Sequence, residues 1–430
     1  MGKKSASLTF FKELPQNIFA GFVVSLVALP LALGLAIASE APPLAGIIAA
    51  VVGGVVVAVF GGSHITISGP GNGLVIVLLA AITSLGGGDL YQGYLFTLAA
   101  IILSGGLLFL FGALRLGAMS EFFPASALQG MLAAIGVGIL AKQFHVMLGL
   151  TSVSGDTIEQ LMRIPDSLLL FLGFHPFAGI IGVISILFLF FYSKIRNPYF
   201  HLIPAPMWVV VGSIGVGYYY QLVLKEVVPI APELLIKIPE KIISALPRPN
   251  FEKLLDLDFL GVVVSITLIA VIESLLSIKA VDKLDLKKRR SNVNKDLRAL
   301  GLASIVSGFL GGLNVVTVIA RSSVNANNGG TNRSANFFHA LFLILFVVLL
   351  GDQIQRIPLT ALAAILVFTG YKLASPENLV RIYKIGPEQA LIFIITLVTT
   401  LFTSLVTGIA AGVLSTFITH LFLRKSLYLF

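Results

Sequence analysis

Long apolar runs recur along almost the whole chain, broken by short stretches of Gly, Pro and charge. A run of about 20 apolar residues is what a helix needs to cross the hydrocarbon core of a bilayer. The runs carry no sustained two-residue alternation, which argues against a membrane barrel. Bounded by these breaks, the pattern predicts helices near residues 16–39, 43–60, 70–84, 91–112, 124–143, 176–193 and 205–221. A second set is predicted near 258–281, 297–312, 320–329, 335–350, 357–373, 388–404 and 406–423. The expected fold class is an all-α polytopic membrane protein of about fourteen transmembrane segments.

The pattern fails in a similar way once in each set. In the first, His64-Ile65-Thr66-Ile67-Ser68 reads as extended and leads into Gly69-Pro70-Gly71-Asn72-Gly73. Pro suits a first helical turn, so a half-helix is expected to begin near Gly69, with Gly71 and Gly73 letting a ligand approach the backbone. In the second, Gly311 to Ile319 is again extended, and Ala320-Arg321-Ser322-Ser323 opens another short helix, with Asn327-Asn328-Gly329-Gly330 at its end. Irregular backbone survives at membrane depth only where protein or a polar cavity satisfies it, so matched interruptions suggest two broken helices facing one central site. Helix N-termini favour anions, and the fixed fork of donors on Arg321 suits carboxylate-like or tetrahedral oxyanions. The plainer readings are a packing kink at the first break and a topology anchor, with Arg333, at the second. Asn325 and Ser322 read as caps or packing groups.

Composition rules out an ordinary soluble domain: 57% of the 430 residues are hydrophobic and 11% charged, too little polar surface to cover a core. A net charge of +9 does not signal nucleic acid, because the cations sit in short loops and set topology. An even segment count puts both termini on the inside with Lys3, Lys4, Lys12, Arg115, Lys194, Arg196, the cluster Lys283, Lys287, Lys288, Arg289, Arg290, Lys295 and Arg298, and finally Arg424 and Lys425. The predicted organisation is a cytoplasmic N-terminus (1–15), a first repeat (16–221), an external linker (222–257) of mixed charge and several prolines, a second repeat (258–423) and a cytoplasmic tail (424–430). Seven segments per repeat is odd, so the second repeat enters the membrane inverted. Cysteine is absent and the six histidines show no metal-ligand spacing. No P-loop, His-Glu-x-x-His or nucleophile elbow occurs, and no enzymatic activity is expected.

One carboxylate, Glu273, lies mid-helix in the apolar run Ile269 to Ser277. Charge there is costly and by default functional. Ser277, four residues on, shares its helical face, so the two could hold Na⁺, or Glu273 alone could carry a proton. A structural role, bonded to nearby backbone or to Arg321, is the alternative.

These residues resemble the sulfate permease family, solute carrier family 26 in animals. The resemblance rests on Leu29-Pro30-Leu31-Ala32 with Pro42-Pro43, on Phe60-Gly61-Gly62-Ser63 and Ile67-Ser68-Gly69-Pro70, on Glu273-Ser274-Leu275-Leu276, and on Ala320-Arg321-Ser322 with Gly329-Gly330. It implies a seven-plus-seven inverted fold with core and gate domains and elevator-like movement. It places the anion between Gly71 and Asn72 on the third segment, Ile319, Ala320 and Arg321 on the tenth, and Leu35 on the first. Glu273 matches the family's coupling carboxylate and Ser277 the hydroxyl beside it in a bicarbonate-type member. Pro30-Leu31 and Leu35 stand where sulfate-type members carry Pro-Gln and an aromatic, and Asn314 replaces a usual Pro. The expected cargo therefore moves from sulfate to bicarbonate, taken up with Na⁺ or H⁺ across a bacterial inner membrane. A regulatory STAS domain is not expected after the last helix, leaving homodimer formation to the membrane domain. The alternatives are a proton-coupled sulfate or dicarboxylate transporter and, from another class, an anion channel or a voltage-responsive protein that transports nothing.

Overall fold

The computed structural model describes residues 3–121, 124–150, 155–192, 194–195, 203–239 and 246–423. Arg196, His201, Glu240, Lys241 and the expected tail 424–430 lie outside the described residues. In chain order the helices are α1 (Lys3–Ala38), α2 (Pro43–Phe60), α3 (Val75–Gly86), α4 (Leu90–Ala113), α5 (Ala125–Met147), α6 (Thr157–Met162), α7 (Ile164–Phe174), α8 (Pro176–Tyr192) and α9 (Ala205–Tyr219). They continue as α10 (Leu257–Asp282), α11 (Val293–Phe309), α12 (Ile319–Asn327), α13 (Ser334–Ile354), α14 (Leu359–Leu373), α15 (Pro376–Tyr383), α16 (Pro387–Phe402) and α17 (Leu405–Leu423). Two short strands, β1 (Ser68–Gly69) and β2 (Val316–Thr317), interrupt the helical series.

Among the described residues, eight helices are long and apolar enough to cross a membrane, and shorter apolar helices such as Asn72–Gly86 accompany them. Fourteen therefore stays a sequence-based count. Helix starts follow ordinary chemistry: Pro43 occupies the first turn of α2, and Asp89 caps α4 by accepting from the Tyr91 and Gln92 N–H groups. The short polar helices α6 and α15 have no counterpart in the hydropathy pattern.

The chain forms two compact units. The first comprises Met1–Gly117, Phe191–Val228 and Leu235–Ile357, the second Ala118–Phe190, Pro229–Leu234 and Pro358–Phe430. In the first unit α4 packs along α11, α1 along α13, and α2 against both α11 and α13. Small residues make the α4–α11 approach close: a Cβ on Gly301 would lie 2.5 Å from the Gly105 carbonyl oxygen. In the second unit α5 is the central helix, packing against α14 and α16. There a Cβ on Gly136 would come within 2.6 Å of the Gly370 carbonyl oxygen, and Ala133, Ile382, Ala390 and Phe393 form a buried cluster.

The two interruptions meet in the first unit. β1 and β2 pair antiparallel with Ser68 opposite Thr317 and Gly69 opposite Val316. The first half-helix does not begin at Gly69 as the proline suggested. Gly69 is in the strand, Gly71 is still extended (φ −95°, ψ 147°), a 3-10 turn spans Asn72–Leu74, and regular helix starts only at Val75. The strand pairing holds this backbone extended, and Pro70 has no N–H to contribute to either element.

Candidate functional site

The approach to the first half-helix is fixed by side chains from distant segments. After α2, the Gly62 N–H (2.7 Å) and the Ser63 N–H (3.1 Å) donate to Asp296 Oδ1, and the Ser63 hydroxyl bonds Oδ2. Asp296 is fully buried in the first turn of α11, and these donors are what its carboxyl meets there. Further along, Asn325 Nδ2 donates to the Ile65 carbonyl (2.8 Å), the Ile67 N–H to Ser322 Oγ (2.9 Å) and the Ser68 N–H to Asn336 Oδ1 (3.3 Å). Asn325 and Ser322 thus serve as the packing groups their position suggested. The second approach is held likewise: the Val315 N–H donates to Ser304 Oγ (3.1 Å) and Ser307 Oγ to the Leu313 carbonyl (2.7 Å). Asn314 is buried beside Ser304.

Beyond the strands both half-helices start without a side-chain cap, at Gly71 for the turn and at Val318 for α12. Their first N–H groups carry the positive end of the helix dipole. Glu273 of α10 lies against the first of them. Its Oε1 accepts from the Gly73 N–H at 3.3 Å, while Oε2 is shut from solvent with no hydrogen-bond partner. The glycines make room for it: a Cβ on Gly71 would sit 2.6 Å from Oε2, and one on Gly73 2.8 Å from Oε2. The space expected for an approaching ligand is occupied here by the carboxylate, because α10 packs directly on the Asn72–Leu74 turn.

Arg321, in the first turn of α12, is 1% exposed, and all three guanidinium nitrogens lack hydrogen-bond partners. Its Nη1 fills the place beside Gly69 where a Cβ would be, 2.5 Å away. No ion pair or hydrogen bond joins Arg321 to Glu273. Ile319 (39%) and Ala320 are exposed and Asn72 is half-buried, whereas Gly71 is buried. Leu35 is buried near the end of α1, and its carbonyl accepts from Ser39, whose hydroxyl also lies 3.5 Å from the Val75 carbonyl oxygen in the first turn of α3. Ser277 is buried one turn along α10 from Glu273, and no hydrogen bond joins them.

The structure therefore gathers Gly71, Asn72 and Glu273 in one cluster and sets the buried Arg321 guanidinium against Gly69 of β1. Sequence reasoning missed Asp296, Asn336 and Ser304. It also missed the facing pair Ser68 and Thr317, whose buried hydroxyls have no partner. Asp296 looked like part of the charged loop before α11, and its role shows only once Gly62 and Ser63 lie over it. Two half-helix N-termini, one of them with its Gly73 N–H already on Glu273, and a guanidinium with unspent donors can together hold an anion. A carboxylate oxygen without a partner can take a proton or a hard cation such as Na⁺. Among the described residues no group of three His, Cys, Asp or Glu could share a metal ion.

The profile of the sulfate permease family matches residues 14–396. The chain is 26% identical over 385 residues to the bicarbonate transporter BicA of Picosynechococcus, covering 89% of this chain and 66% of that protein. It is 25% identical over 387 residues to YvdB of Bacillus subtilis, whose name provisionally assigns it sulfate transport, covering 90% and 69%. It thus spans about two thirds of the length of each. Among solved structures, the transmembrane domain of a cyanobacterial BicA matches with a TM-score of 0.79 at 24% identity, covering 94% of this chain and 98% of that one. The inward-facing mouse solute carrier 26 family member A9 also gives 0.79, at 15% identity, covering 99% and 73%. At these identities the structural likeness establishes the fold.

Proposed function

The chain belongs to the sulfate permease family of anion transporters, and from that premise we propose that its cargo is bicarbonate, taken up with a coupling cation by secondary active transport. The observation that carries this reading is the meeting of two half-helix N-termini, whose N-cap residues Gly71 and Val318 supply no side-chain acceptor, with one guanidinium and one carboxylate that each hold unspent polar atoms. Substrate would be bound by the N–H groups after Gly71 and Val318, with Asn72, Ile319 and Ala320 on the exposed side, Leu35 as an apolar wall and Arg321 supplying positive field from behind. Glu273, with Ser277 one turn away, would take Na⁺ or H⁺. Because Glu273 touches the same glycines that shape the anion site, loading the carboxylate changes the charge the anion meets, which is a direct route to coupling. Elevator-like movement, dimer formation through the membrane domain and an inner-membrane location with cytoplasmic termini complete the reading.

The test is labelled bicarbonate uptake into proteoliposomes with and without a Na⁺ gradient, and with and without a proton gradient. Glu273→Gln is expected to abolish gradient-driven uptake while the protein still inserts and elutes as the parent does. Full cation-dependent uptake by that variant would refute the coupling role. The likeness to YvdB supports a second cargo, sulfate, for which Glu273 would carry the coupling proton. Competition decides between them: sulfate that suppresses bicarbonate uptake completely at concentrations well below that of bicarbonate favours the second.

A further inference from the structure

Both half-helices are fastened at the ends away from their N-termini, each by a different part of the chain. α3 ends at Gly86 before two left-handed glycines, leaving its last carbonyls without helical partners. Lys253 supplies one: its Nζ donates to the Leu85 carbonyl at 2.8 Å and lies 4.9 Å from the centroid of Phe96 on α4. The Asn250 N–H donates to the Leu95 carbonyl (3.1 Å), fixing this part of the linker to the same helix.

The far end of α12 is held by α1 and by the loop between α10 and α11. After the left-handed Gly329, the turn at Thr331 and Asn332 is read by Asn17, a fully buried side chain of α1. Asn17 Oδ1 accepts from the Thr331 (2.9 Å) and Asn332 (3.2 Å) N–H groups, and its Nδ2 donates to Thr331 Oγ1 (3.0 Å). Arg289 Nη2 donates to the Thr331 carbonyl at 2.7 Å while Nε donates to Asp285 at 2.7 Å. Burial raises the Asp285 pKa, but the bonds from Arg289 and from the Lys287 and Arg289 N–H groups outweigh it and hold the carboxyl below its usual value. The pair stays charged at neutral pH.

A nine-residue helix is about 13 Å long and moves as one piece. A shift that the Thr331 turn passes to Asn327 therefore reappears at Ile319. Resting on the reading of the two N-termini as the anion site, we propose that Lys253, Asn17 and Arg289 are positioning residues. Lys253 sets the depth of Asn72, and Asn17 with Arg289 sets the depth of Ile319 and Arg321.

The chain has no cysteine, so Asn72→Cys and Ile319→Cys each give it a single thiol reporter. The readout is the rate of maleimide labelling in proteoliposomes, beside bicarbonate uptake by the same fastening variants without a reporter. Lys253→Met is expected to change labelling at Asn72→Cys several-fold and leave Ile319→Cys at the parent rate. Asn17→Ala and Arg289→Met are expected to do the reverse, with partial rescue by Arg289→Lys. Each should raise the half-saturating anion concentration more than it lowers the maximal rate. Unchanged labelling throughout, or both reporters shifting alike in every variant, would overturn the proposal. If Arg289→Met fails to insert, Asn17→Ser carries the same comparison. Labelling does not depend on cargo, so a selective pattern without bicarbonate uptake overturns the cargo and leaves the positioning role standing.

Discussion

Arg321 has five N–H donors and spends none of them on protein, in a place where burial makes each costly. If its field holds the anion, Arg321→Ala removes interactions of the charge-assisted kind, about 1.5–3 kcal/mol. Half-saturation should then rise roughly ten-fold or more, measured by uptake across anion concentrations; an unchanged value would remove Arg321 from the site. Asp296 is the opposite case, a buried carboxylate with its donors in place. Asp296→Ala removes the acceptor of the buried Gly62 and Ser63 N–H groups and of the Ser63 hydroxyl and leaves them unmet. A loss of about 1–3 kcal/mol is expected, read as a lower thermal midpoint in detergent, with looser binding following from a displaced β1. The sequence made Arg321 and Glu273 conspicuous because charge inside an apolar run stands out at once. Asp296 was hidden because it sits at a loop boundary among other charges, and only tertiary structure reveals that its loop is buried.

Helix positions were legible because apolar length and Gly/Pro breaks are local properties; α2 was expected at 43–60 and is found at Pro43–Phe60. The short amphipathic helix α15 was not, since eight residues of mixed polarity are invisible to a search for membrane-length runs. The start of α3 was misplaced by several residues because Pro70 gives the same local signal before a helix as in an extended segment, and the partner strand that decides between them is far away in sequence. Packing between elements depends on small residues at a few crossings. Gly301→Val would drive a side chain into the Gly105 carbonyl and the Phe109 N–H, both 2.5 Å from the Cβ position. The two backbones cannot yield without separating α4 from α11, so a cost of about 1–3 kcal/mol is expected, seen as a lower thermal midpoint. Gly106, whose Cβ would meet nothing within reach, provides the control: Gly106→Ala should leave the midpoint at or above the parent value.

At the scale of the molecule, the division suggested by the linker differs from the compact units, each of which takes residues from both sides of it. Hydropathy and charge describe how a chain threads a bilayer, whereas compactness depends on which helices touch, and that is not a local property. The strand pair shows the same distinction most sharply. Ile67 and its partner Ser322 are 255 residues apart, and Ser68 and Asn336 are 268 apart. During synthesis the first interruption must therefore wait, with its backbone donors unmet, until most of the protein has been translated and inserted. Contacts this distant are slow to close and exposed to mispairing in the interim. The proposed anion site can therefore form only late in synthesis, and a ribosome stalled before residue 316 leaves a chain that lacks the second of the two interruptions it needs.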